Sequence, residues 1–321
     1  MINNSDFENI SGSFPPRSDD VDFDIHNQLS SRFYLSLVVI EIFLASAVTL
    51  SNFLLLVVIY RDPLHRLRTP TTYLMANLGI ADFLVGAILG YCRAVENYIK
   101  FQDGIQPKFL NTAQYAIAGA VMLVIAGSIM AMSWDRFVAV SDPFNYNNRI
   151  TVKRVKICML GIWLNASILT MLPVAGVRKL TFLFAYCYSH FLVPAVALTI
   201  VYIMIFRTLS RKLQTLNKAV RSEKSVRDER SVHREHRLTV TIVLVLIAFY
   251  ACFAPYFLKV HLWLLCSCAE SPSFLIYHFT TNDIMLLSSL VDPIIYAWRL
   301  QSFRKSFRYV LGFERDVAPV T

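Results

Sequence analysis

Residues 115–143 read YAIAGAVMLVIAGSIMAMSWDRFVAVSDP. No Asp, Glu, Lys or Arg interrupts the run from Phe109 to Trp134, and then Asp135 and Arg136 arrive together. About 20 apolar residues, rising ~1.5 Å each, carry a helix across a ~30 Å hydrocarbon layer. An Asp-Arg pair directly after such a run belongs at a membrane–water boundary. There the arginine either snorkels toward water or pairs with a carboxylate on a neighbouring helix. Glu235, at the start of a later apolar run, stands at the right depth to be that carboxylate.

Working outward, seven apolar spans are expected near residues 34–60, 69–96, 108–140, 155–176, 182–208, 237–266 and 274–298. In lipid each isolated segment must satisfy its own backbone hydrogen bonds, so these are read as helices. The ten-residue alternating segments of a membrane β-barrel are missing. The expectation is an all-α, seven-transmembrane helix bundle, residues 34–298, with an N-terminal tail over residues 1–33. Residues 299–321 form a short amphipathic C-terminal helix and tail. Pro255 and Pro293 fall inside the last two spans, where each removes a backbone donor and is expected to kink the helix.

Composition agrees. Of 321 residues, 55% are hydrophobic and 17% charged, against roughly 45–50% and about 25% in soluble domains. That excludes a soluble enzyme, a disordered chain and a collagen-like fibre. Six cysteines are too few for a disulfide scaffold. The net charge of +9 sits in particular loops. Arg61, Arg66 and Arg68 follow span one, and Arg149, Lys153, Arg154 and Lys156 follow span three. Ten basic residues lie between Arg207 and Arg237, and Arg299, Arg304, Lys305 and Arg308 follow span seven. The opposite loops hold only Lys100, Lys108, Arg178 and Lys179. Lys and Arg concentrate on the cytoplasmic side, so the N-terminus is expected outside and the C-terminus inside. The charge follows topology, and nucleic acid is not needed to explain it.

The acidic N-terminal tail carries Asn-x-Ser sequons at Asn3 and Asn9, expected to be glycosylated. A third, at Asn165, lies inside span four. No apolar segment precedes residue 34, so span one is expected to direct insertion.

Polar residues inside a bilayer need a reason. Asn52, Asp82, Ser288, Ser289 and Asp292 recur at corresponding depths in spans one, two and seven. They read either as hydrogen-bonding glue between helices or as an interior cluster. In such a cluster two carboxylates repel unless a proton or cation lies between them.

Taken in order, these landmarks resemble the rhodopsin family of G-protein-coupled receptors from about residue 34 to 313. They are Asn52, Asp82 in Leu-Gly-Ile-Ala-Asp, Asp135-Arg136-Phe137, Trp163, Pro194, Cys252-Phe253-Ala254-Pro255 and Asp292-Pro293-Ile294-Ile295-Tyr296. The resemblance implies a plasma-membrane, multi-pass receptor that activates heterotrimeric G proteins, with arrestin and receptor kinases as further partners. Arg136 would contact the G protein when active and pair with Asp135 and Glu235 at rest, with Tyr202 and Tyr296 swinging toward it. Pro143 and Phe144 fit the loop contact with G protein. Phe249 and Phe253 would relay ligand binding to helix movement, or simply pack the core.

Departures narrow the likeness. Ile125 stands where the family often has a sodium-binding Ser. Asn111 replaces the usual Cys at the top of span three, so the customary outer disulfide is missing. That loss, the short second outer loop, Asp292-Pro293 and the run Tyr296-Ala297-Trp298-Arg299 resemble the melanocortin, lysophospholipid, cannabinoid and adenosine receptor group. Cys266-Ser267-Cys268 is similar to the cysteine-rich third outer loop of melanocortin receptors. Their acidic calcium-binding positions fall on Cys92, Asn111 and Tyr115. Ala118 counts against a biogenic amine, and Leu286 against a retinal Schiff base. Glu41, Arg93, Glu96, Tyr115, Tyr256, Lys259 and His261 are the candidates for a ligand pocket. Arg93 and Lys259 favour an anionic lipid or peptide carboxylate, and a melanocortin-like peptide or a nucleoside remains open. No resident metal, cofactor or nucleophile constellation stands out. A cation channel or transporter using Asp82 and Asp292 is the competing function.

Overall fold

The computed structural model describes residues 31–65, 67–102, 108–172, 186–218, 223–265 and 271–313. Seven long helices build a bundle: α1 Ser31–Arg61, α2 Pro70–Phe101, α3 Lys108–Ser141, α4 Val152–Thr170, α5 Val193–Lys218, α6 Glu223–Leu265 and α7 Pro272–Arg299. A short amphipathic α8, Gln301–Val310, follows. The sequons at Asn3 and Asn9 and the cysteines Cys266 and Cys268 lie outside the described residues.

Helix starts follow local chemistry. Thr69, Thr151 and Ser271 each turn a side-chain oxygen back to a backbone N–H three residues on, at 3.2, 3.3 and 3.2 Å. Pro70 and Pro272 then occupy the first helical position, where no donor is needed. Between α1 and α2, Asp62 takes a left-handed φ of 36°, a conformation aspartate tolerates, and its carboxylate accepts from the Leu67 N–H at 3.0 Å.

α1, α2, α3, α5 and α6 are long and apolar enough to cross a membrane by length and composition. α4 opens on Lys153, Arg154 and Lys156, and α7 carries Asn282, Asp283, Ser288, Ser289 and Asp292. Packing places those two in the bundle. α1 lies on α2 and α7, α5 on α6, and α6 on α7, while α3 runs down the middle against α2, α4, α5 and α6. The polarity is inverted relative to a soluble protein. Phe43, Leu50 and Val39 on α1 are 72%, 68% and 62% exposed, whereas Glu41 and Asn52 are fully buried.

Three helices outrun their apolar spans. α2 ends at Phe101 rather than near 96, α5 at Lys218 rather than 208, and α6 begins at Glu223 rather than 237. Hydropathy marks only the lipid-facing part of a helix. Lys, Arg, Glu and Gln are strong helix formers that carry it onward into water. The helices also run unbroken past Pro255 and Pro293. A π turn, Val85–Gly90, lies within α2, and it adds a residue to the turn and shifts the register beyond it. At the same level Gly86 and Gly90 let α1 come close. A Cβ on Gly86 would sit 2.7 Å from the Thr49 backbone nitrogen, and one on Gly90 2.6 Å from the Ala45 Cβ.

Candidate functional site

Arg136 ends the apolar stretch of α3, yet its side chain is only 2% exposed. Its guanidinium is held from three sides. Nε and Nη2 donate to Asp135 Oδ2 at 3.0 and 2.6 Å, and Nη2 also donates to Thr71 Oγ1 at 2.7 Å. Nη1 donates to Glu235 Oε2 of α6 at 2.6 Å. Thr71, at the start of α2, in turn donates its hydroxyl hydrogen bond to Asp135 Oδ2 at 2.7 Å. Tyr146, from the single turn Tyr146–Arg149 after α3, donates to Asp135 Oδ1 at 2.8 Å. Burial, and then the Asp135 carboxylate, raise the Tyr146 phenol above its ordinary pKa, so it stays a donor.

The node therefore ties α2, α3, α6 and the loop after α3 through one cation. Charge-assisted bonds of this kind are the strong ones. The Glu235 side chain is 21% exposed, which makes it the one carboxylate of the node that water can reach. Nearby, Lys212 Nζ of α5 donates to the Val140 carbonyl at 2.6 Å.

The two tyrosines do not reach Arg136 in this arrangement. Tyr202 exchanges a hydrogen bond with Ser133 at 2.9 Å, and Tyr296 packs on Phe303 of α8 with ring centroids 5.9 Å apart. Pro143 and Phe144 stand exposed on the same end of the bundle, Phe144 at 95%.

Deeper in, Pro293 has no N–H for the Ser289 carbonyl four residues earlier. Asn52 Nδ2 of α1 fills that vacancy at 2.8 Å and also donates to its own helix at the Val48 carbonyl, 3.0 Å. Ser289 Oγ then donates to Asp82 Oδ1 of α2 at 2.7 Å. Asp82 and Asp292 face each other across a narrow crevice that Ile125, Ile129, Phe249 and Ser288 complete. Asn52, Asp82, Ser289 and Asp292 thus come together between α1, α2 and α7. Phe249 stacks on Phe253 at 5.6 Å, and Tyr277 of α7 donates to the Pro255 carbonyl at 2.8 Å.

At the opposite end the pocket candidates divide. Arg93 Nη2 donates to Glu41 Oε1 at 2.6 Å and to Asp283 Oδ1 at 3.2 Å, and Asn97 Nδ2 donates to Glu41 Oε2 at 2.7 Å. Arg93 is thus held by two carboxylates in this arrangement. Glu96 is taken by Lys100 at 2.7 Å and Gln114 at 3.3 Å. Lys259 bonds the Asn282 side-chain oxygen at 2.8 Å and lies 4.1 Å from the Tyr256 ring. Tyr115 is exposed, and His261 meets Tyr188 at 3.0 Å. Among the described residues Cys92, Cys158, Cys187 and Cys252 are free thiols.

Sequence reasoning missed Thr71, Tyr146, Asn97, Asn282 and Asp283. Asp283 carried a signal, being a carboxylate within an apolar span. Thr71 and Tyr146 carried none, because their roles come from where α2 and the loop after α3 land. Asn77, which joins Ser128 at 2.8 Å and Trp163 at 3.0 Å, was equally silent.

Comparison with known proteins gives the arrangement its relatives. A family model described as "7 transmembrane receptor (rhodopsin family)" matches residues 51–296. Human melanocortin receptor 3 is 25% identical over 297 residues, covering 89% of each chain. Bovine melanocortin receptor 5 is 27% identical over 298 residues, covering 88% of this chain and 86% of its own. Zebrafish melanocortin receptor 4 is 25% identical over 287 residues, covering 84% and 82%. The family match spans well over half the chain and contains all of the Arg136 node. The chain belongs to the rhodopsin family of seven-transmembrane, G-protein-coupled receptors.

Proposed function

We propose that the Arg136 end of the bundle faces the cytoplasm of a plasma-membrane receptor, and that the Arg136–Glu235 pair is its resting lock. The basic loops support that orientation, since Lys and Arg gather at the Arg136 end. An extracellular ligand that binds the open bundle better than the closed one shifts the population toward open. α6 then leaves α3, Glu235 releases Arg136, and a heterotrimeric G protein takes the vacated groove, with Pro143 and Phe144 as its outer contacts. Asp82, Asp292, Phe249 and Phe253 lie between the two ends and carry the change. Arrestin and receptor kinases would read the same opened face.

The observation that carries this reading is the guanidinium of a nearly buried Arg136 shared between its own helix and Glu235 of α6. A pair worth about 1–3 kcal/mol to the closed state biases the equilibrium roughly 5- to 150-fold. The relatives are melanocortin receptors, which makes a melanocortin peptide one candidate ligand. The outer end, however, has its own charge pattern in Glu41, Arg93, Asp283 and Lys259.

The test is ligand-free nucleotide exchange on purified heterotrimers of each Gα family. Glu235→Ala is expected to raise exchange on at least one of them and Arg136→Ala to remove it. Silence of all three proteins on every heterotrimer, with normal folding, contradicts the reading.

A further inference from the structure

Lys259 lies in the outer part of α6 and is only 6% exposed. Among the described residues its ammonium makes two contacts, to the Asn282 side-chain oxygen at 2.8 Å and the face of Tyr256 at 4.1 Å. Neither bears a formal charge. Two other cations of this end are paired: Arg93, near enough to act on Lys259 electrostatically, holds Glu41 and Asp283, and Lys100 holds Glu96. Among the described residues Glu41, Glu96 and Asp283 are engaged in those pairs, and no carboxylate pairs with Lys259. An ammonium withdrawn from water onto an amide and a ring is under-compensated, because a buried charge ordinarily needs an opposite charge. A cation–π contact offsets only part of that cost.

The surroundings say what kind of molecule would supply the missing charge. Phe257, Phe253 and Tyr256 lie within two turns of Lys259 on α6. Phe191, from the π turn Tyr188–Leu192 ahead of α5, joins them, 4.9 Å from Phe253 and 5.0 Å from Phe257. Tyr256 is 5.3 Å from Phe253. The cation thus stands at the edge of an aromatic cluster that reaches Phe249 through the Phe253 stack.

We propose that Lys259 takes the anionic group, a carboxylate or a phosphate, of an extracellular ligand whose body is aromatic or otherwise apolar. The inference rests on the receptor reading above and narrows it. The ligand's body lies against Phe191, Phe253 and Phe257, so its arrival is felt at the Phe253–Phe249 stack.

A lysine kept for a ligand and a lysine that braces α6 to α7 differ in sign when removed. The full chain in lipid nanodiscs, without ligand, is melted as wild type and as Lys259→Met. Replacing an uncompensated buried cation by an apolar side chain of similar volume is expected to raise Tm by about 2 °C or more. A fall in Tm assigns Lys259 a bracing role and overturns the proposal.

The second arm adds phenylacetate, phenyl phosphate or neutral phenylacetamide at equal, high concentration. At least one anion is expected to raise the wild-type Tm beyond the amide, and neither to do so in Lys259→Met. The stronger of the two names carboxylate or phosphate as the ligand's group. Equal shifts with the amide, or an anion effect that survives Lys259→Met, overturns the proposal. No G protein enters these measurements, so their failure is distinct from failure of the exchange assay, which tests the receptor reading alone.

Discussion

Asn52 of α1 donates its side-chain amide to the backbone carbonyl of Ser289 in α7 at 2.8 Å, the acceptor that Pro293 leaves without its helical partner. One residue's missing donor is thus met by another helix, and the repair ties α1 to the centre of α7. Asn52→Leu strands that carbonyl in an apolar interior, and a loss of about 1–3 kcal/mol is expected. Pro293→Ala restores a backbone N–H to the same carbonyl. Asn52→Leu should therefore cost less in the Pro293→Ala background, and a double-mutant cycle on Tm measures the difference.

The approach of α1 to α2 predicts a contrast between glycines. Gly86→Ala places a methyl 2.7 Å from the Thr49 backbone, which cannot rotate away, and overpacking of this kind costs about 1–3 kcal/mol. Gly161 has nothing within 4 Å of its Cβ position, so Gly161→Ala in mid-helix should be neutral or stabilising by about 0.5–1 kcal/mol. Thermal melts of the two variants check the ordering.

The outer network makes a third prediction. Glu41 is fully buried and Arg93 nearly so. Arg93→Gln leaves Glu41 with Asn97 alone, and stripping one partner from a buried pair costs about 3–5 kcal/mol. Surface expression and Tm should both fall. Glu41→Gln in the same chain removes the stranded charge, so the double variant should recover part of the loss.

Much of this was legible in the sequence because a membrane imposes few solutions. Seven largely apolar runs marked the helices, five of them apolar enough to cross a membrane by composition alone, and the basic residues of their loops gave an expected orientation. Asp135, Arg136 and Glu235 were found as charges at matching depths, and the three meet within 3.0 Å. What stayed hidden depends on neutral side chains and on register. Thr71 and Tyr146 are ordinary residues until the start of α2 and the loop after α3 bring them to Asp135. The π turn in α2 has no hydropathy signature, yet it precedes Arg93 and Asn97, which meet Glu41. Arg93 and Lys259 looked alike as basic residues near one end, and the placement of Glu41 and Asp283 separates a paired cation from one held by neutral groups.

Tyr146 supplies a prediction at the inner node. Tyr146→Phe removes one donor from the Asp135 carboxylate while keeping the ring, and a hydrogen bond to a charged group is worth about 1.5–3 kcal/mol. Ligand-free exchange should rise about 10- to 150-fold over wild type. Because burial and Asp135 raise this phenol's pKa, its contribution is fully present below the ordinary tyrosine value of about 10. It is lost only as pH rises through the higher folded value. Wild-type exchange should therefore show no Tyr146-dependent change between about pH 6 and 9.

The lock itself is tested by a distance. Spin labels at Lys153→Cys on α4 and Arg237→Cys on α6, both exposed positions, report the separation of α6 from the core, with the exposed Cys158 replaced by Ser. In the ligand-free receptor the account predicts one dominant short distance. In Glu235→Ala a second, longer population should appear, displaced by several ångströms. Identical distributions with and without Glu235 would contradict the claim that its pairing with Arg136 holds the bundle closed.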